Sequence, residues 1–354
     1  MAIIPATKLK VFVESLLTKG RFSPEEAKTI ADSLTLSELS GHGSHGIMRV
    51  KDYLNDLNKG TVVSGAKLLV IQETPNSLMA DAQFGVGQIV MPTLLQKLYA
   101  KLETQAVVSA AIRNCGHIGR IGEWVETPAL KGYPGLLMVN DNGAFLKVAP
   151  PGGKRAVTST NPVAFAIPLP EGKIFLTDMS TSAIAFGKAK LARLNGISVS
   201  PDCIQDANGD MTIDPNALFA DPAGSIMPMG GAQGYKGFAL SMFVDMLVAG
   251  LSGGQTPPAP EKTKYSNSIS IILWNPRFFA GLEHMQEQAK KYLDFIRSCP
   301  PTDSAKPLRL SGDRMNAFKQ EHERSGLSLS KGLSEELISL AKELGVTLPS
   351  ELTA

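Results

Sequence analysis

Two different periodicities share this chain, and that division constrains its fold more than any other feature. Near both ends apolar side chains recur every three to four residues, the spacing that covers one face of a helix. Thr7 to Lys19 sets Leu9, Phe12, Val13, Leu16 and Leu17 on one face and stops at Gly20. Ser23-Pro24-Glu25-Glu26 has the form of a capping box with proline at the first helical position; Ala27, Ile30, Ala31 and Leu34 carry the stripe toward Ser40. Ile47, Val50, Leu54 and Leu57 resume the period before Gly60.

From about residue 66 the pattern becomes short strands alternating with helices. Strands are expected at 68–71, 77–81, 106–112, 135–139, 163–167, 174–177 and 268–274, with helices at 88–99, 119–130 and 182–194. Helical segments follow at 282–296, 313–324 and 331–344. The chain is therefore expected to be α/β (α+β), with a helical lobe drawn from residues 1–65 and 285–354 around a central mixed α/β domain over 66–284.

The 354 residues, 43% hydrophobic and 19% charged, suffice for a large globular core. Bases (35) and acids (33) nearly balance without long runs of either sign, so no nucleic-acid partner is expected. Cys115, Cys203 and Cys299 lie far apart, a sparse and odd set that suits a reducing compartment. The N-terminus lacks the apolar core of a signal peptide. The most apolar long segment, Phe238 to Leu251, carries Asp245 and is short for a bilayer span. A cytoplasmic protein with no membrane partner is expected.

Chemistry concentrates in Ser40-Gly-His-Gly-Ser-His-Gly-Ile-Met-Arg49. Its imidazoles titrate near neutral pH, its glycines let backbone pass close to a ligand, and Arg49 offers a planar fork to a carboxylate. Arg49 follows His45 by four residues, which on a helix would place both on one side. His117 falls in a second glycine-rich stretch, Asn114-Cys-Gly-His117-Ile-Gly-Arg-Ile-Gly122, between a strand and a helix, where free backbone N–H groups suit anionic oxygens. Thr160 offers a hydroxyl between two proline turns, Asp178-Met-Ser-Thr-Ser182 reads as a helix cap, and Lys236 stands at a glycine-rich helix start. His42 and His45 have no nearby Cys, Asp or Glu to complete a ligand set, so no metal site is expected. Gly85-Val-Gly87-Gln-Ile-Val90 approaches a dinucleotide fingerprint, but Val90 replaces its third glycine, so it reads as a turn.

Taken in order, S-G-H-G-S-H-G-I-M-R, G-H-I-G-R-I-G, P-P-G-G, S-T-N-P, D-M-S-T-S-A-I-A-F-G-K and G-Y-K-G-F-A-L resemble the type 2 malate/L-lactate dehydrogenase family over nearly the whole chain. Within it, A-I-A-F-G-K and H-I-G-R-I-G are most similar to the hydroxycarboxylate dehydrogenase B branch. The resemblance implies a non-Rossmann, malate/sulfolactate dehydrogenase-like fold, and a homodimer that grips NAD or NADP with parts of both subunits. It also implies hydride transfer between the nicotinamide and a small 2-oxo or 2-hydroxy acid. Cofactor contacts are implied at His45, Gly119, Arg120, Ile121, Leu176, Thr177, Asp178, Met179, Ser180, Tyr235, Lys236, Asn267, Gly312, Asp313, Arg314 and Met315. His45 and His117 are both carried as the acid-base residue, aided by Ser44, because the family's branches differ on which one acts. Arg49 and Thr160 are the expected substrate contacts. Leu310-Ser-Gly-Asp313 departs from the family's L-P-G-E, and Lys188 stands where imine reductases carry an aspartate. The alternatives are a cyclic imine reductase, acting on piperideine- or pyrroline-2-carboxylate, and a nicotinamide-binding regulator without turnover.

Overall fold

The computed structural model describes residues 2–352. In chain order, β1 (Ala2–Ile4) precedes α1 (Ala6–Lys19), α2 (Pro24–Leu39) and α3 (Arg49–Lys59). The middle of the chain forms β2 (Leu69–Glu73), β3 (Ser77–Asp81), α4 (Gly87–Leu102), β4 (Val107–Cys115), α5 (Glu123–Leu130), β5 (Gly135–Asn140), β6 (Val163–Pro168), β7 (Ile174–Met179) and α6 (Phe186–Leu194). Short strands β8 (Ile204–Gln205), β9 (Met211–Thr212) and β10 (Ser225–Ile226) lead to α7 (Gly234–Ser252) and β11 (Asn267–Trp274). The chain closes with α8 (Leu282–Arg297), α9 (Asp313–Ser325), β12 (Leu327–Leu329) and α10 (Lys331–Leu344).

Seven strands make one sheet in the order β2-β3-β4-β11-β5-β6-β7. Only β3 and β4 run parallel; every other neighbouring pair is antiparallel. This is a mixed sheet, not the parallel doubly wound sheet of a Rossmann unit. The late strand β11 wedges between β4 and β5, pairing Ile271 with Ala110 on one side and Leu137 on the other. Its fully buried Ile269, Ile271 and Leu273 join Met91, Leu94 and Leu98 of α4 in the main core. Each such side chain contributes roughly 1.5–3 kcal/mol on burial, so losing β11 would remove the middle of the sheet.

A second core is built from the two ends of the chain. Leu9, Leu16 and Leu17 of α1, Ile30 and Leu34 of α2, Val50 and Leu54 of α3, and Leu333 and Leu337 of α10 pack together. Antiparallel pairing of β1 with β12 staples the ends, Ile4 lying opposite Leu327. The capping box forms as its spacing demands: Glu26 N–H donates to Ser23 Oγ and Ser23 N–H to Glu26 Oε2, both at 3.2 Å. A smaller satellite core gathers Val148, Ala189, Ile204, Leu218 and Ile226 around α6.

Several local expectations shift. Helix α5 begins at Glu123 rather than Gly119, because residues 116–122 form a turn with Gly119 at φ +71°. Helix α6 begins at Phe186, and its cap is Ala185 without a side-chain bond, so Asp178 to Ser182 do not cap it. Helix α8 lies against β6 and the 170–172 turn, on the sheet side. The apolar segment around α7 is longer than its sequence suggested: Gly231–Ser252 is long and apolar enough, by length and composition, to cross a membrane. One of its faces packs on the sheet, with Val244 and Val248 fully buried beside Met138 and Val163.

Candidate active site

The corner between α2 and α3 is set by a buried acid. Glu38 Oε2 accepts the Ile47 N–H at 3.0 Å, and a side chain at Gly46 would collide with that carboxylate. Burial raises the Glu38 pKa. The corner is a short 3-10 turn over Gly43–His45, so His45 and Arg49 are not on one continuous helix; both nevertheless line one cavity. Ser44 Oγ lies 2.9 Å from His45 Nδ1. Arg49 Nε donates to the Ser44 carbonyl at 2.8 Å, and its Nη1 to Asp52 Oδ2 at 3.1 Å. Gly187 of α6 closes on this corner, where a methyl group would stand 2.9 Å from Ser44 Cβ and 3.4 Å from Arg49 Nη2.

His117 stacks on His45 with ring centroids 5.6 Å apart and planes 12° from parallel. Its hydrogen bonds assign its tautomer. The Gly119 N–H donates to His117 Nδ1 at 3.3 Å, and the Tyr53 hydroxyl lies 2.8 Å from the same nitrogen. Tyr53 in turn accepts from Gln88 Nε2 at 2.9 Å, which leaves its proton for the imidazole. Nδ1 is therefore an acceptor, and the neutral ring carries its proton on Nε2. Burial, then the Arg49 guanidinium, pushes His45 down to about 3 and His117 well below the usual imidazole range. His42, whose Nδ1 lies 3.0 Å from the Ser40 carbonyl, falls to about 4, mainly through burial. In every case the neutral form is favoured at neutral pH, and His45 and His117 face the cavity.

The opposite wall is made of amides. Asp245, the lone acid of α7, accepts from Asn140 Nδ2 (3.2 Å), Thr158 Oγ1 (2.6 Å) and Asn161 Nδ2 (2.7 Å). Asn140 passes the connection on: its carbonyl accepts from Asn267 Nδ2 at 3.4 Å, and Asn267 Oδ1 accepts the Ile118 N–H at 3.2 Å, beside His117. Asn140, Thr160, Asn161 and Asn267 all line the cavity, whose volume is about 430 Å³. Asp141, 5% exposed, also borders it; burial pushes its pKa up to about 7, against the opposing pull of Ser159 and the Gly143 N–H.

The stretches implied to hold the cofactor come from distant parts of the chain, and most of them converge. Gly119, Ile121 and Asn267 line the cavity itself. Asp178 Oδ2 accepts the Gly122 N–H at 2.8 Å, Thr177 Oγ1 donates to Ser311 Oγ at 2.8 Å, and Arg120 Nη1 reaches Met315 Sδ at 3.5 Å. Gly312 adopts φ +91° with the Leu176 carbonyl 3.4 Å from where a Cβ would sit, so 176–180 and 312–315 run side by side. Asp313 Oδ2 accepts the Leu310 N–H at 3.0 Å, which keeps this turn shaped despite its departure from L-P-G-E. Arg120 is 1% exposed and pairs with Glu126 at 2.6 Å, yet its Nε has no partner. A glycine-lined groove beside an under-bonded guanidinium fits an elongated, anionic cofactor. Four implied contacts are not on its surface. The side chains of Leu176 and Met315 are buried in the main core, and Tyr235 and Lys236 sit outside the groove at the outer start of α7, Tyr235 being 58% exposed.

Reading the sequence missed Tyr53, Gln88, Asn140, Asp141, Phe145, Phe186 and Tyr265 as parts of this site. Only the Asn140-Asp-Asn142 cluster at a strand end, and a single acid inside an otherwise apolar helix, could have signalled part of it.

Two stacked imidazoles held neutral beside a guanidinium line one cavity at the edge of a mixed sheet, an arrangement suited to a small anionic molecule. The chain belongs to the malate/L-lactate dehydrogenase family, which it matches over residues 4–338. It is a nicotinamide-dependent oxidoreductase of small 2-hydroxy and 2-oxo carboxylic acids. It is 28% identical over 347 residues to hydroxycarboxylate dehydrogenase B of Escherichia coli K12, covering 96% of this chain and 94% of that protein. It is 29% identical over 350 residues to malate dehydrogenase of Pyrococcus abyssi, covering 97% and 95%. The structure of malate dehydrogenase from Pyrococcus horikoshii OT3 superposes with a TM-score of 0.87 at 28% identity, covering 98% of this chain and 96% of that one.

Proposed function

We propose that this dehydrogenase uses His45 to exchange a proton with the substrate oxygen while His117 donates a hydrogen bond to the same oxygen. The observation that carries this assignment is the occupied Nδ1 of His117, which leaves an Nε2–H as its hydrogen-bonding atom toward substrate. A reduced nicotinamide, NADH or NADPH, held in the groove beside Gly119 and Asn267 would supply the hydride to the 2-oxo carbon and leave as NAD or NADP. Arg49 holds the substrate carboxylate and Thr160 offers it a hydroxyl; both line the cavity with His45. A carboxylate arriving at Arg49 cancels the guanidinium field that depresses His45, so substrate binding itself raises the imidazole pKa toward a working value. Ser44 keeps the ring oriented through Nδ1, and the His117 N–H stabilises charge developing on oxygen. In the oxidation direction neutral His45 is the base.

The same reading includes a helical lobe formed by residues 1–65 and the C-terminal segment, with α8 assigned to the central domain, so the second boundary moves past Arg297. It includes a cytoplasmic homodimer. Met242, Phe243 and Met246 give α7 an exposed apolar face, and Tyr235 and Lys236 at its start are free to meet a neighbouring copy's cofactor. The imine-reductase alternative is disfavoured by Lys188, whose charge, together with Arg49, would repel an iminium near His45.

Titration with NADH and NADPH by nicotinamide fluorescence is expected to give a saturable change with one or both. Reduction of 2-oxo acids is expected to exceed that of piperideine-2-carboxylate in kcat/KM. Arg49→Leu should raise KM for the oxo acid roughly 10–100-fold, the loss of charge-assisted hydrogen bonds. An unchanged KM, or a better imine substrate, refutes the assignment.

A further inference from the structure

We infer that this enzyme prefers NADPH to NADH, and that Arg314 is the residue that reads the additional phosphate on the adenosine 2′-oxygen. This rests on the nicotinamide-dependent reading above and names the form of the cofactor that the groove suits.

Cations follow one another along the groove, away from the reacting histidines. Lys188 comes directly after Gly187, the glycine packed against Ser44 and within reach of Arg49 Nη2, so it stands next to the proton-transfer corner. Arg314 lies farther along, in the first turn of α9. It is flanked by Gly312, beside the Leu176 carbonyl, and by Met315, whose Sδ meets Arg120 Nη1 at 3.5 Å. The fields on the two nearby imidazoles give the same order. Beyond burial, which dominates both, His45 is depressed by Arg49 and then by Lys188 and Arg120, whereas His42 is depressed by Arg120, Lys188 and Arg314. A cofactor with its nicotinamide beside His45 and His117 would therefore carry its pyrophosphate past Lys188 and its adenosine ribose toward Arg314.

An acid that grips the ribose 2′-hydroxyl favours NAD, whereas a guanidinium nearby accommodates the 2′-phosphate of NADP. Here the acid next to Arg314 is already committed: Asp313 Oδ1 accepts from Arg297 Nη2 at 2.9 Å, and its Oδ2 accepts the Leu310 N–H at 3.0 Å. Arg120 is likewise spent on Glu126. Arg314 and Lys188, by contrast, are exposed and have no ion-pair partner among the described residues. Burial, then the Arg314 charge, lowers the Lys188 pKa; Asp178 pulls the other way, but its Oδ2 already accepts the Gly122 N–H at 2.8 Å. Two cations that repel one another in this way are short of an anion. A phosphate monoester brings roughly −1.5 to −2 charge at pH 7 and oxygens that fit the guanidinium fork. Gly312 caps α9 without a side-chain bond, so the N–H groups of that first turn add to the attraction.

Titration of the full chain by nicotinamide fluorescence should give a Kd for NADPH about tenfold or more below that for NADH, the worth of one charge-assisted pair. 2′,5′-ADP should displace bound NADPH at a correspondingly lower concentration than 5′-AMP, which differs from it only by the 2′-phosphate. Arg314→Ala should raise the NADPH Kd about tenfold and the NADH Kd far less, and Arg314→Lys should recover part of the loss. Lys188→Ala should instead weaken both cofactors in step, since both carry the pyrophosphate. Both side chains are exposed, so these variants are expected to fold. Equal or tighter binding of NADH, equal displacement by 5′-AMP, or an Arg314→Ala variant that weakens both cofactors alike overturns the inference and leaves the dehydrogenase assignment standing. A preference for NADPH that survives Arg314→Ala also overturns it, because another residue would then read the phosphate. Binding of neither cofactor sinks the nicotinamide reading itself.

Discussion

The cavity has two facing sides that solve opposite problems. On one side, His45 and His117 are titratable rings kept neutral by burial and by Arg49, each anchored through Nδ1 and open toward the cavity. On the other, Asn140, Thr158 and Asn161 all spend a donor on the one carboxylate of Asp245. The histidine side presents imidazoles to the cavity, and the amide side presents mainly groups already committed to one another. That difference separates a surface that reacts from one that positions, and it predicts that damage to each will register in different measurements.

The largest effect should come from the reactive side. His45→Ala is expected to lower kcat for 2-oxo acid reduction by about 10²–10⁴-fold, the usual worth of a positioned proton donor. Because reduction uses the protonated ring, kcat of the unaltered enzyme should fall as pH rises, and this slope should vanish in His45→Ala but persist in His117→Ala. The reverse pattern would exchange the roles of the two histidines.

Damage to the positioning side should register first as stability. Asp245→Leu leaves the Thr158 hydroxyl and the Asn140 and Asn161 amides short of an acceptor in a buried setting, a loss of about 3–5 kcal/mol in urea unfolding. Asp245→Asn, which keeps one acceptor oxygen, should lose less. If Asp245→Leu unfolds like the unaltered protein, the amide wall is not held in the way described and the contrast between the sides collapses.

Asp141 sharpens the comparison, since it is a buried carboxyl that borders the cavity on the amide side. Its folded pKa of about 7 lies above its unfolded value, so its contribution is fully present below pH ~4 and is lost as pH rises toward 7. Asp141→Asn should therefore gain on the unaltered protein between pH ~4 and 7, by at most about 4 kcal/mol. Unfolding measured near pH 5 and near pH 7 checks this; a gap that does not change with pH would mean that Asp141 is solvated and not part of the dry wall.

Local rules carried much of the fold. The capping box at Ser23, strand 77–81 and helix 331–344 stand where their patterns put them, because capping, alternation and helical period are properties of neighbouring residues. The boundaries that moved lie at Gly119 and at Ser182, where chain that looked helical is held in turns by tertiary contacts: Asp178 takes the Gly122 N–H, and Ser182 bridges to Pro228. The motif residues Ser44, His45, Arg49, His117 and Thr160 stood out in the sequence as candidates, and the structure brings them around one cavity.

What the amino-acid sequence determined alone was which segments would be helix or strand, which residues could move a proton or hold a carboxylate, and the family to which their order is similar. Tertiary structure decided which of them meet. The insertion of β11 between β4 and β5 brings Asn267 to Asn140 across 127 residues of chain, and α7 brings Asp245 to Asn140 across 105. It also decided the His117 tautomer, through Tyr53 64 residues away. Such pairings depend on how distant surfaces fit together, and periodicity, which reports only on near neighbours, carries no record of them.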